Sequence, residues 1–545
     1  MTRRARLLML AVCVLGCARN NQSELMERPD GEPTGPVLDV SHTGDAPSSV
    51  PRTCAEAELA RSYFGCEFWP TVTLNAVWSI FDFAVVVANF GDQPAEIQVT
   101  GPDGRALASS VPPRGLANVY LPWVPELKGA DSNSCGMPAT LTESIFVEGA
   151  AFHLTSNVPV VVNQFNALEF RSAGGPQGKD WSECPGLTDC VQPDGTQGKN
   201  GCFSFSNDAA ILLPASALTG SYRVATMPPT NSQQFVAITA TQDATSVEVR
   251  LSSTANVLAG GPVARGVAGE SLQLQLNAGD VVELVSADPL LAPSADLSGS
   301  LIRADRPVQV LAGAPCAALP ASIELGTPTT CDHLEESVLP AETLGTRYIV
   351  PRPTGVFGTP VPHFVRLYGN VDGTELSYPG GAPRDAPTRL DAGQVANLPE
   401  LTEDFELVAT NEILVSTFLL SADVADPGDL IGRGDPSQSQ AVTVEQFRTD
   451  YVFLAPDDYD VNYVDIVMPL DANVLLDQQA LPGLPQPIGS SEFGVARVRL
   501  GSGDHGAHFL LSDKPVGLQV VGYGSYTSYA YPGGLDLRAI APPPK

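Results

Sequence analysis

One order of apolar and polar positions recurs four times along this chain: a short apolar strand, a turn, a second strand, and a polar step into a long apolar run. The closing run of each round reads Phe152-His-Leu-Thr-Ser-Asn-Val-Pro-Val-Val-Val-Asn-Gln-Phe-Asn166, Leu301-Ile-Arg-Ala-Asp-Arg-Pro-Val-Gln-Val-Leu-Ala-Gly313, Phe405-Glu-Leu-Val-Ala-Thr-Asn-Glu-Ile-Leu-Val-Ser-Thr-Phe418 and Phe509-Leu-Leu-Ser-Asp-Lys-Pro-Val-Gly-Leu-Gln-Val-Val-Gly522. Three copies carry Pro-Val at the same step. Internal repetition divides a chain into like units and lowers the weight of any single unusual residue as a catalytic one.

In the second round the alternation predicts strands over residues 222–226, 235–241, 246–252, 271–277, 281–286, 301–304 and 308–312. Short strands at this spacing, broken by Gly, Pro and Asp, predict a β-sandwich. Gln242-Asp-Ala-Thr245, Val371-Asp-Gly-Thr374 and Leu470-Asp-Ala-Asn473 supply matching hairpin turns. Ile211-Leu-Leu-Pro-Ala-Ser-Ala-Leu-Thr-Gly-Ser-Tyr222 parallels Ser337-Val-Leu-Pro-Ala-Glu-Thr-Leu-Gly-Thr-Arg-Tyr348, so units open alike. The expected organisation is all-β: four tandem sandwich units over 51–204, 205–331, 332–442 and 443–545, with short helical turns near residues 54–61 and 214–218. A propeller-like assembly is the alternative, although its blades have four strands and these units have about seven.

The start of the chain changes the picture. Arg3, Arg4 and Arg6 precede an apolar run that ends at Gly16-Cys17, too short for a membrane span. This resembles a bacterial lipoprotein signal over residues 1–17, with Cys17 as the lipidated residue of an exported protein at the outer membrane or cell surface. Residues 18–50, rich in Asn, Glu, Gly, Pro and Ser, cannot bury enough apolar surface to offset ordering and read as a disordered tether. Without the signal the chain has 27 Lys and Arg against 61 Asp and Glu, which excludes nucleic acid as a partner and leaves the lipid anchor as the route to a membrane.

Eight cysteines follow Cys17, and an even number in an exported chain reads as disulfides. Proximity pairs Cys54 with Cys66 and Cys316 with Cys331; Cys135, Cys184, Cys190 and Cys202 form a loop-rich group whose pairing stays open.

Six stretches, Phe64-Gly-Cys-Glu-Phe-Trp69, Pro159-Val-Val-Val-Asn-Gln-Phe-Asn166, Ser206-Asn-Asp-Ala-Ala-Ile-Leu-Leu-Pro214, Cys331-Asp-His-Leu-Glu-Glu336, Glu445-Gln-Phe-Arg-Thr-Asp-Tyr451 and Ser525-Tyr-Thr-Ser-Tyr-Ala-Tyr-Pro-Gly-Gly534, occur in order over nearly the whole mature chain. Together they resemble the IgGFc-binding protein N-terminal domain family. That resemblance implies extracellular recognition or adhesion to a protein or glycan partner, and it carries over no catalytic residue.

Local chemistry is sparse. Asp423, Asp426, Asp429 and Asp435 lie among glycines in one loop, a weak calcium site beside the simpler reading of a solvated acidic loop. Arg433-Gly434-Asp435 is an adhesion tripeptide that turn chemistry explains equally well. Cys331-Asp332-His333-Leu334-Glu335-Glu336 and His505-Gly-Ala-His508 gather metal-capable groups without a regular ligand spacing. Tyr523, Tyr526, Tyr529 and Tyr531 could stack on sugars or fill a core. Nucleophile elbow, HExxH and P-loop motifs are missing from the sequence. A binding protein without a cofactor, other than calcium at that loop, is therefore the first expectation. A passive structural envelope protein is the second, and a secreted hydrolase using His333, His363 or His505 the third.

Overall fold

One long bent strand organises each repeat. In the first, His153–Asn166 pairs through its first half with Gly65–Phe68 and Ala95–Thr100, and through its second half with Phe83–Ala88 and Ala209–Ile211. The strand thus belongs to two sheets, and the change of sheet falls at Pro159, which has no N–H to give to either ladder. In the second repeat the same event splits the strand into Leu301–Ala304 and Val308–Ala317 around Pro307. Pro515 lies at this step in Ala507–Gly524 of the fourth. The third repeat has no proline here, and Thr410, Asn411 and Glu412 separate Phe405–Ala409 from Ile413–Leu419.

The computed structural model describes residues 50–545 apart from 192–194, 205–206, 231, 320–330, 427–431, 457–458, 502, 504–505 and 545. The expected signal, Cys17 and almost all of the tether lie outside the described residues. The chain is all-β, with four repeats of one two-sheet topology inside a single compact unit, 48–545. In the second repeat one sheet runs Ser221–Arg223, Leu301–Ala304, Thr245–Arg250, Ser271–Leu276, and the other Asp332–Ser337, Val308–Ala317, Phe235–Ala240, Val281–Val285. The first sheet shows the alternation of a half-buried sheet, clearest in Ser271–Leu276. The second is buried throughout, because both of its faces are covered. Val236, Ile238 and Ala240 face the repeat's own core, while Ala237, Val281 and Leu311 join the core of the first repeat. Ile145–Val147 of the first repeat also pairs with the free edge at Val281–Val285.

The last strand of each two-sheet unit, Ala209–Ile211, Asp332–Ser337, Ser437–Gln440 and Thr527–Pro532, contacts its counterparts in cyclic order around a common axis. Sandwich and propeller are therefore both apt descriptions: each repeat is a sandwich, and the four are set around the axis as blades. Hydrogen bonding assigns Ala209–Ile211 and Asp332–Ser337 to the repeats that precede residues 205 and 332. The ends close the ring, since Tyr63 N–H donates to the Leu535 carbonyl at 3.1 Å and Leu537 N–H to that of Arg61 at 2.8 Å. The helix near residue 54 spans Cys54–Ala60 with a Thr53 and Glu56 capping box, whereas residues 215–217 form a turn.

A tyrosine locks each bend in the last three repeats. Tyr222 Oη donates to the Val308 carbonyl at 2.6 Å and accepts from Thr219 N–H, Tyr348 Oη donates to Ile413 at 2.6 Å, and Tyr451 Oη donates to Val516. In the first repeat Phe68 stands at this register position, opposite Leu154 as Tyr222 stands opposite Ile302. Tyr222→Phe leaves a buried carbonyl and an amide without their partner and is expected to cost about 1–3 kcal/mol. Chemical denaturation measures this, and an unchanged midpoint would contradict the locking role.

Candidate functional site: the axis and the loop end of the ring

The axis is lined by polar side chains that hydrophobic patterning does not anticipate. Asp208 accepts from Ser437 Oγ at 2.7 Å, Ala209 N–H at 2.9 Å, and the N–H groups of Gln438 and Glu335 at 3.1 Å, so one carboxyl joins the first, second and third repeats. Asp332 accepts from Asn207 N–H and His333 N–H on one oxygen, and from Thr527 Oγ1 at 3.0 Å and Ser528 N–H at 3.3 Å on the other. It joins the first, second and fourth. Glu335 accepts from Gln164 Nε2 and Asn166 Nδ2 at 2.8 Å and from Thr73 Oγ1.

Burial pushes the carboxyls of Asp208, Asp332 and Glu336 well above the usual range. For Asp332 the carboxylates of Asp435 and Asp208 add to that push. All three are sealed from solvent, so the cluster fixes the ring and offers no substrate a way in.

The described residues of the connections that lead into the four closing strands meet at one end of this axis. Asn207, Asp332, Asp435, Thr527 and Ser528 hydrogen-bond to one another there, Ser421 N–H donates to the Leu319 carbonyl at 2.7 Å, and Tyr526 N–H to that of Gly432 at 3.0 Å. Three of the connections are long: residues 167–208, 318–331 and 420–436. The fourth is the tight turn between Gly524 and Thr527. Disulfides Cys135–Cys190 and Cys184–Cys202 hold the first, with Cα separations of 5.6 and 5.9 Å, and Cys316–Cys331 closes the second at 5.0 Å. Cys54–Cys66 ties the helix to the opening strand.

The residues nominated from sequence are dispersed. Asp423 is exposed on the short helix Ala422–Ala425, Asp426 is paired with Arg433 at 2.9 Å, Asp435 is buried beside Ser528, and Asp429 lies outside the described residues. Among the described residues no group of three or more His, Cys, Asp or Glu is placed to hold a metal ion. Arg433 stacks 5.3 Å from the Phe357 ring and Asp435 is 1 % exposed, so the tripeptide is not displayed for recognition. Tyr523, Tyr529 and Tyr531 are buried, which removes them as a sugar platform; their hydroxyls serve Thr354 O, Asn462 Oδ1 and Leu454 O.

His333 is sealed between the first two repeats, 3.5 Å from Thr73 Oγ1 and 3.7 Å from Glu335. Burial lowers His363 to about 3, and both its ring nitrogens lack a hydrogen-bond partner beside a cavity of about 40 Å³. His508 is held by Asp477 at 2.7 Å, and His505 lies outside the described residues. The described histidines nominated for a hydrolase, His333 and His363, are buried, while the partly exposed His153 pairs with Glu67 at 2.9 Å. Asp208 stands within a stretch quoted above for its family resemblance, yet nothing in its local sequence marks its partners in the other repeats, which lie 127 and more residues away.

Three comparisons bear on this architecture. The family described as IgGFc binding protein matches residues 208–522. The human IgGFc-binding protein is 26 % identical over 352 residues, which is 62 % of this chain and 6 % of that protein. A solved tetra-tandem repeat from the extending region of a large adhesion protein aligns over 86 % of this chain and 99 % of its own, at 11 % identity and a TM-score of 0.08, and carries no weight here.

Proposed function

The chain belongs to the IgGFc binding protein family, and from that premise we propose that it is an exported surface protein that binds an extracellular protein partner through the loop end of its ring. The observation that carries this reading is the gathering of the described residues of three long connections, two of them disulfide-bonded, at one end of an otherwise packed body. Variable loops on a rigid scaffold are the usual seat of recognition. The disulfides favour an oxidising compartment. Leu187 and Val191, exposed on the first of these connections, offer apolar contact area at that end.

Mild surface crosslinking should recover one stoichiometric partner, and Val191→Glu should weaken its capture by tenfold or more, since a charge buried without a partner in a contact costs at least about 1.4 kcal/mol. Recovery of no partner would favour a passive envelope component instead. The reading includes anchoring by lipid at Cys17, supported by Arg3, Arg4, Arg6 and the short apolar run before Gly16. Cys17→Ser is expected to release the ring from the membrane fraction or to block maturation, with far-UV circular dichroism unchanged. A variant that fractionates and matures like the parent contradicts the anchor.

A further inference from the structure

Beneath the disulfide-bonded insertion, three side chains from distant parts of the first repeat converge. Asp82 directly precedes the strand Phe83–Ala88, Glu169 follows the bent strand, and Lys179 belongs to the insertion. Lys179 Nζ donates to Asp82 Oδ2, and Asp82 N–H donates to Glu169 Oε2 at 3.0 Å. Glu169 Oε1 is buried with no hydrogen-bond partner. The walls are aromatic: Lys179 Nζ sits 4.5 Å from the Trp181 ring, which packs on Phe81 at 5.1 Å.

Gly175 shows how tightly the three are drawn together. A Cβ there would lie 2.8 Å from Glu169 Oε1, 3.1 Å from Asp82 Oδ2 and 3.1 Å from Lys179 Cδ, and the residue's φ of +82° itself favours glycine. Side-chain exposure is 12 % for Lys179 and 21 % for Asp82.

We propose that Lys179 and Asp82 join in an intramolecular amide, with Glu169 carrying the proton between them. The proton between Lys179 Nζ and Asp82 Oδ2 passes to the carboxylate, which leaves an amine and a carboxylic acid. The Nζ lone pair adds to Asp82 Cγ and forms the N–C bond. Glu169 takes the proton that nitrogen sheds and returns one to the departing hydroxyl, so that the Cγ–O bond breaks and one water leaves. No oxidant or further reactant enters. Burial, reinforced by the Asp82 charge, pushes Glu169 up to about 7, where both its acid and its base form are populated near neutral pH. The bond would secure the insertion to the sandwich independently of Cys135–Cys190 and Cys184–Cys202.

Intact mass spectrometry of the full chain, reduced and alkylated, is expected to show a species lighter by one water, about 18 Da. Trypsin should then yield a branched peptide joining residues 62–105 to 172–199, uncut at Lys179. Lys179→Arg should abolish it, and Glu169→Gln should abolish it in a chain that keeps its β-sheet signal. A wild-type chain of unaltered mass that releases linear 172–179 overturns the proposal. A branched peptide persisting in Glu169→Gln overturns the proton-carrying role. If that variant does not fold, the wild-type mass and peptide map alone decide the amide.

Discussion

A chain ended at Pro532 is expected to lose the closed ring. Residues 533–544 cross all four repeats: Asp536 N–H donates to the Gln446 carbonyl at 3.0 Å, Ile540 and Ala541 N–H to that of Glu342 at 2.8 and 3.0 Å, and Arg303 Nη2 to Pro544 at 3.0 Å. Leu535 and Leu537 are each 1 % exposed and belong to a core to which all four repeats contribute. Removing them forfeits about 2–3 kcal/mol apiece. Losing Asp536 also leaves the Arg448 guanidinium, 3 % exposed, without its carboxylate, a change worth about 3–5 kcal/mol in a buried pair. The total, roughly 7–11 kcal/mol, is comparable to the whole margin of a folded protein. Thermal unfolding of the truncated chain should show no cooperative transition near that of the parent, and Leu537→Ala alone should cost about 2–4 kcal/mol. An unshifted transition in the truncated chain would mean that the segment is a passenger.

Asp332→Ala is expected to be nearly as damaging. It strands Asn207 N–H, Thr527 Oγ1 and Ser528 N–H, donors from two other repeats, in a place water does not reach. At about 1–3 kcal/mol for each orphaned group the loss is roughly 3–9 kcal/mol. Because the folded state raises this carboxyl's pKa, its contribution is fully present below the unfolded value near 4 and is lost as pH rises through the folded one. Asp208 and Glu336 act in the same direction. His363 acts oppositely: its folded value of about 3 means that its contribution is present above about 6.5 and is lost as pH falls. Melted from pH 5 to pH 8, the parent should therefore lose stability relative to Asp332→Asn as pH rises, because the neutral amide does not titrate. Parallel curves would show that Asp332 does not titrate across that range.

The strands were legible where one face is wet or where an apolar run is unbroken. Ser271–Leu276 and Val281–Val285 fall within the spans that alternation and apolar runs predict, and the bend is visible as Pro-Val in three repeats. The closing strands were not. Asp332–Ser337 reads Asp-His-Leu-Glu-Glu-Ser and Ser437–Gln440 reads Ser-Gln-Ser-Gln, sequences that local patterning assigns to loops. Their burial follows from contacts supplied by the other repeats, so polar side chains are satisfied by partners 100 and more residues away. The same reason hides Asp82, Glu169 and Lys179, which are separated by as many as 97 residues. The four aspartates of the 423–435 loop illustrate the converse. Their spacing suggested a shared ligand; the fold pairs the Asp426 carboxylate with Arg433 and engages Asp435 with Ser528 through its backbone, while Asp429 lies outside the described residues.

Site-specific photo-crosslinking on intact cells tests the central claim most directly. A photoreactive side chain placed singly at Leu187, Val191 or Asp423 samples the loop end, while Ile540, exposed on the C-terminal segment, and Leu107, exposed on an outer strand, serve as controls. The account predicts one discrete protein adduct, shared by the loop-end positions and missing from the controls. Adducts that form equally at Ile540 and Leu107, or at none of the five positions, would contradict it.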